Sequence, residues 1–241
     1  MSAPVGVMDD SYARERKLKK SLIFRYKVRA KVVADAAGRF LETKKRLNVL
    51  DFGSADGLTL IELGRLLPDA TFIGIEYSES LLRCVPKLPG NMRMIRGDIT
   101  SLPKEADGDY DLVSALAVLE HLDDPKKAVM EAARVLRPGG IFVASCPNPF
   151  WEGLSSKMGL LKGDHHSSEL GLDAMGRLAE GCGLEVLSKE RFMLAPVTFL
   201  PYLRLPVSPS GALRLDKAVS GLALFGWLFT NQLIVARKPA R

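Results

Sequence analysis

Cysteine is scarce in this chain: Cys84, Cys146 and Cys182 are odd in number, far apart and form no C-x-x-C pair. That excludes a secreted disulfide framework and a thiolate zinc site, and fits reduced thiols in a cytosol. Histidine is equally scarce, with 3 residues, and aromatics make up only 7%. The longest membrane-like stretch, Ala218–Phe229, has 12 residues, short of the roughly 20 that span a bilayer. No secretory leader is expected, because Asp9, Asp10 and the charged run from Arg14 precede any apolar stretch. Internal repeats and low-complexity tracts are absent as well. What remains is ordinary for a folded domain: 241 residues, 47% hydrophobic and 26% charged. A chain of this size buries most of its unfolded surface without a covalent staple, so disordered and fibrous classes are excluded.

The formal net charge of +6 is unevenly placed. Residues 1–46 hold 13 Lys/Arg against 5 Asp/Glu, and the other 195 hold 21 against 23. The basicity therefore belongs to an N-terminal segment, 1–46, and not to the domain expected over 47–241. A solvated helix face accounts for such a run; an anionic partner, such as phospholipid head groups, a phosphorylated substrate or RNA, is the alternative.

Hydrophobic periodicity predicts one helix over the N-terminal segment, with Leu22, Tyr26, Val33, Ala37 and Phe40 at near-helical spacing. Seven strands follow: Asn48–Gly53, Thr71–Ser78, Met92–Asp98, Tyr110–Leu116, Ile141–Pro147, Leu184–Leu194 and Asn231–Pro239. Helices are expected over Leu58–Leu67, Ser80–Val85 and Leu172–Cys182. A further one, capped by Asp123 or Asp124 with Pro125 in its first turn, is expected to run to Arg137 and close on Pro138-Gly139-Gly140. Strands alternating with helices imply an α/β fold with a doubly wound, Rossmann-like sheet. Between the last two strands lies an insertion, about 197–230, with Pro201, Pro206 and Pro209 and then an apolar stretch.

In such a sheet, ligands bind at the carboxyl ends of the strands, near the point where strand order reverses. The first strand runs into Asp51-Phe52-Gly53-Ser54-Ala55-Asp56-Gly57, which lacks the G-x-G-x-x-G of a dinucleotide turn. Asp51 and Asp56 would repel a pyrophosphate but suit a cationic ligand without phosphate. Their sign favours S-adenosylmethionine, with its sulfonium and ammonium, over NAD. Glu76 ends the second strand, where a carboxylate can accept from both ribose hydroxyls, and Asp98 ends the third.

At these residues the chain resembles class I S-adenosylmethionine-dependent methyltransferases. VLDFGSADG, IGIEYS, RGDIT, YDLV, LEHLDDP and RVLRPGG stand in the family's order and spacing. The resemblance is nearest to the type 11 branch that includes quinone-biosynthesis enzymes, and covers residues 45–190 plus the final strand. It implies a seven-stranded, mostly parallel sheet whose last strand is antiparallel. It also implies that Asp51 lies near the methionine part of the cofactor and that the turn Gly53, Ser54, Ala55 and Gly57 wraps it. Glu76, with Tyr77 next to it, would hold the ribose, Asp98 the adenine amino group and Ile99 the ring face. Ala115 and Leu116 would border the methionine moiety. Ala55 departs from the family, where many members have a glycine.

A sulfonium methyl is already activated, so the protein mainly aligns an acceptor and excludes water; a base is needed only for a poor nucleophile. His121, in LEHLDDP, and His165 and His166, in GDHHSSE, are the candidates, each equally suited to a capping or loop role. Neighbouring histidines cannot aim both rings one way, and no metal site is expected. The insertion is expected to set acceptor specificity, as a buried helix, a dimer contact or an apolar lid meeting a lipid-like substrate. The expected activity is methyl transfer to a small-molecule or lipid-linked acceptor in the cytoplasm, with contact to an anionic membrane surface through the basic segment. Three rivals stand beside it. A nicotinamide-dependent oxidoreductase lacks its glycine motif here. A non-catalytic scaffold is opposed by the intact run of site residues. An RNA methyltransferase lacks a visible RNA-binding module or stacking platform.

Overall fold

Strand β4 (Tyr110–Leu116) is buried at every position, and β1 (Asn48–Phe52) at every position after Asn48. Such continuous apolar runs need cover on both faces, which is how central parallel strands are built. A computed structural model describes residues 8–41, 46–102, 110–151, 153, 170–220 and 223–240. Its strands β1, β2 (Thr71–Glu76), β3 (Met92–Arg96), β4, β5 (Leu136–Pro147), β6 (Glu185–Leu194) and β7 (Phe229–Arg237) form one sheet. The order is β3-β2-β1-β4-β5-β7-β6. The first five are parallel, and β7 runs antiparallel to both β5 and β6, as the resemblance implied. Strand order reverses between β1 and β4, so the crevice for a ligand opens above Phe52 and Leu116.

Successive residues of each strand serve opposite faces. Val49, Leu112, Ile141 and Leu233 join α2 (Lys20–Phe40), α3 (Leu58–Leu66) and α8 (Pro209–Ser220) in one core. Leu50, Val113, Phe142 and Ile234, one step along, join α5 (Pro125–Val135) and α6 (Leu172–Glu180) in the other. Asp124 caps α5 by accepting from Lys126 N, with Pro125 in the first turn. The helix α4 (Glu79–Leu82) is a single turn after β2, capped by Ser78.

Two expectations are corrected. The basic N-terminal segment is two helices, α1 (Asp10–Leu18) and α2, broken where Lys19 turns extended at ψ 115°. The break lets α2 follow the sheet while α1 turns aside over the glycine turn, a tertiary demand that periodicity does not record. The α5 helix stops at Val135, not Arg137. Leu136 is already extended and pairs with Tyr110, because a residue before proline is driven out of the α region as Arg137 is here, and the strand captures the segment. A Cβ on Gly140 would sit 2.9 Å from the Tyr110 carbonyl, so RPGG reads equally as a helix stop and as a close strand crossing.

The insertion leaves the carboxyl end of β6 as α7 (Ala195–Phe199), passes a 3₁₀ turn at Leu200–Leu203, forms α8 and a second 3₁₀ segment at Ala223–Leu228, and enters β7. The expected apolar helix is thus two shorter pieces. Ala212 and Leu213 of α8 are buried, whereas Leu215 and Trp227 are exposed.

Candidate functional site

Three backbone sites with positive φ shape the turn after β1: Gly53 at 66°, Ala55 at 51° and Gly57 at 76°. Glycine is required at the first, since a Cβ there would lie 2.6 Å from Val118 Cγ2. Gly74 in β2 matters equally: a Cβ there would lie 2.5 Å from Ser54 Oγ, so its absence lets the turn settle on the strand. Ser54 N donates to the Ile75 carbonyl at 3.0 Å and fixes that contact.

The carboxylates expected from the sequence converge here. Asp51 is buried, receiving Ser114 Oγ at 2.6 Å and Ser54 Oγ at 2.7 Å. Burial pushes its pKa up to about 6, against those two hydrogen bonds. Glu76 Oε2 accepts from Ala55 N at 2.8 Å and Oε1 from Ser78 N at 2.7 Å. Its carboxylate is thereby held against the turn with lone pairs to spare. Asp98 is exposed; Oδ1 accepts from Thr100 N at 2.8 Å and Thr100 Oγ1 at 2.7 Å. Ile99 beside it is buried, as are Ala115 and Leu116, whereas Tyr77 is half exposed.

Arg16 was not singled out from the sequence. It comes from α1, is buried, stands 3.3 Å from Asp56 Oδ1, and donates to Thr59 Oγ1 at 2.8 Å. Its guanidinium lies over the rings of Tyr12 and Tyr26 at 5.6 and 5.4 Å. Ala13 packs on Ala55 and Leu81, and Ser78 Oγ donates to the Met8 carbonyl at 2.9 Å. Helix α1 therefore covers the glycine turn. Only the basic composition of the segment signalled this; which arginine turns inward is decided by the bend at Lys19.

His121 ends a 3₁₀ turn, Leu119–His121, just after β4, on the rim of the same crevice. His165 and His166 lie outside the described residues. No group of three potential metal ligands occurs among the described residues. No described helix is long and apolar enough to cross a membrane. A cavity of about 510 Å³ between α2, β6, β7 and α8 is lined by Val32, Arg39, Phe192 and Leu213 and contains none of the turn residues.

The side chains of the turn from Asp51 to Gly57 include two carboxylates and no lysine or arginine that would hold a pyrophosphate. Asp56 Oδ2 is buried and receives no hydrogen bond among the described residues. A ligand bearing an ammonium and ribose hydroxyls fits this set; S-adenosylmethionine is such a ligand, and a dinucleotide is not.

Comparison with known proteins agrees. Residues 50–144 match the family described as a methyltransferase domain. A probable S-adenosylmethionine-dependent methyltransferase of Mycolicibacterium smegmatis is 34% identical over 116 residues, 47% of this chain and 43% of that protein. Malonyl-[acyl-carrier protein] O-methyltransferase of Halalkalibacterium halodurans is 29% identical over 148 residues, 58% of this chain and 51% of that protein. The chain spans about half the length, or less, of these curated relatives. Among solved structures, the plantazolicin methyltransferase BpumL in complex with S-adenosylhomocysteine shares the fold. It has a TM-score of 0.63 and 16% identity over 96% of this chain and 89% of that one.

Proposed function

We infer, for a chain whose residues 50–144 belong to the methyltransferase-domain family, that it transfers the methyl group of S-adenosylmethionine to a small-molecule or lipid-linked acceptor. The observation that carries this is Glu76, buried and fixed by Ala55 N and Ser78 N at the end of β2, beside a turn with three positive-φ residues. When bound, the cofactor supplies a sulfonium methyl that needs no further activation. The residues have distinct tasks. Asp51 offers negative charge to the methionine end; Glu76 accepts from the ribose; the second oxygen of Asp98 accepts from the adenine amino group, with Ile99 against the ring. Gly53, Ser54, Ala55 and Gly57 form the wrap, Ala115 and Leu116 the floor, and Tyr77 the outer edge. His121, His165 and His166 are the candidates for a base.

Calorimetric titration with S-adenosylmethionine, S-adenosylhomocysteine and NADH tests the reading. Micromolar binding of the sulfur ligands is expected, lost in Glu76→Ala and Asp98→Ala, with none for NADH. A folded chain that binds neither sulfur ligand leaves a non-catalytic role ahead.

A finer reading concerns the acceptor. Phe150, Trp151, Trp227, Phe199 and Tyr202 form a chain of ring contacts at 5.7 to 6.0 Å. Phe150, Phe199, Tyr202 and Trp227 are each about half exposed, with Leu203 and Leu205 beside them. Exposed apolar groups of this extent, together with the basic N-terminal helices, support docking on an anionic bilayer to reach a lipid-linked acceptor. Flotation with liposomes containing anionic lipid at low salt is expected to carry the chain upward; its failure to float removes the membrane part.

A further inference from the structure

Arg25 and Arg29 stand four residues apart on α2, and so on one face of the helix. Both are partly buried, yet neither forms an ion pair among the described residues. The Nε of each is shielded from solvent and donates to no group among the described residues. Among the described residues, the one side-chain hydrogen bond of Arg29 is a long contact from Nη2 to Asn231 Oδ1, at 3.4 Å. Burial pushes the Arg29 guanidinium below its ordinary value; Tyr12 and Glu120 counter that, and the charges of Arg25 and Arg16 add to it. Charge buried without a partner is costly and is kept where a ligand supplies the partner.

The place is telling. Asn231 pairs with Pro147 at the carboxyl end of β5, and Glu120 follows the carboxyl end of β4. The two guanidinium groups thus border the rim on which His121 sits. The Arg25 guanidinium lies 6.0 Å from the Tyr202 ring centre, at the near end of the aromatic chain. Cationic forks and apolar rings therefore meet at one spot.

We propose that Arg25 and Arg29 form an anion subsite for the acceptor, which carries a carboxylate or phosphate joined to an apolar body that rests on the aromatic residues. Guanidinium groups suit both anions, since each offers paired donors in a fixed plane. This rests on the methyltransferase reading, because the subsite matters as the acceptor's anchor.

The chain, with and without S-adenosylhomocysteine, is titrated by calorimetry with phenylacetate, phenyl phosphate and the neutral isostere phenylacetamide. At least one anion is expected to bind about tenfold or more tightly than the amide, and the preferred anion identifies carboxylate or phosphate as the source. Arg25→Gln and Arg29→Gln each weaken the anion by about 10- to 100-fold, as loss of a charged hydrogen bond does. Both leave phenylacetamide and S-adenosylhomocysteine binding unchanged. Arg29→Lys retains part of the affinity. Arg29→Gln removes a buried charge that forms no ion pair among the described residues, so its melting temperature is expected to hold or rise, which separates lost binding from unfolding. Equal binding of amide and anions, Gln variants that bind anions like the parent, or no anion binding by the folded chain would each overturn the proposal. Anion binding that survives without any S-adenosylhomocysteine binding would instead sink the methyltransferase reading and leave the subsite standing.

Discussion

Ser114 Oγ donates to Asp51 Oδ1 at 2.6 Å across the β1–β4 pair, where strand order reverses. That bond, with the one from Ser54, holds a carboxylate in a place where burial still drives its pKa up to about 6. An ordinary aspartate titrates near 3.9 and each unit is worth about 1.4 kcal/mol, so ionising buried Asp51 costs about 3 kcal/mol. A raised carboxylate pKa means stability that is complete below about pH 4 and lost as pH rises through about 6. Asp51→Asn is therefore expected to melt higher than the parent at pH 7.5, with the gap closing by pH 4. The same variant is expected to lose S-adenosylhomocysteine affinity at pH 7.5. A gap that stayed constant with pH would show that the carboxyl is not the titrating group.

Gly53→Ala places a methyl in a left-handed backbone at φ 66° and against Val118 Cγ2 at 2.6 Å. Backbone strain of about 1–2 kcal/mol and overpacking of about 1–3 kcal/mol add, for a loss of about 2–5 kcal/mol. Val118→Ala in the same chain should recover the packing part and leave the strain. Urea denaturation of the two single variants and the double variant separates these contributions; a double variant no better than Gly53→Ala would place the whole cost in the backbone.

The alternation of apolar strands with helices was legible because it is local: each of the seven strands lies where an apolar run ends at a turn. The glycine turn and its carboxylates were legible because chemistry fixes their spacing to strand ends. The bend at Lys19 was not, since both helices have good periodicity and only the packing of Ala13 on Ala55 makes the break favourable. Ser114 and Gly74 escaped notice for a related reason: they act through a neighbouring strand, and register is invisible until strands pair. Leu136 escaped because a helix end and a strand start share the same apolar signal.

Arg16→Ala is expected to be the most damaging change on α1. Asp56 is fully buried, and removing its cation leaves a carboxylate with no counter-charge, a loss of about 3–5 kcal/mol for a broken buried pair. Asp56→Asn combined with Arg16→Ala should cost less than the sum, because the uncompensated charge is gone. A thermal-melt double-mutant cycle measures the coupling. Additive losses would mean that Arg16 stabilises only through its contacts with Tyr12, Tyr26 and Thr59.

Asp216 fastens the insertion to the sheet. It lies buried in α8, and its two oxygens accept from Leu194 N at 3.0 Å and Met193 N at 2.8 Å, at the end of β6 where Met193 turns to φ 60°. Burial raises its carboxyl above the usual range, against those two bonds. Asp216→Ala leaves two buried N–H groups without acceptors, at about 1–3 kcal/mol each. Because the bonds join α8 to the strand that launches the insertion, the loss should be local before it is global. Limited proteolysis at native temperature is expected to cut within 197–230 several-fold faster in Asp216→Ala, while the sheet resists. Lys217→Ala, on the exposed side of the same helix, should change stability by no more than about 0.5 kcal/mol. Equal cutting rates in the two variants would show that the insertion is held by its apolar contacts with α2 and not by Asp216.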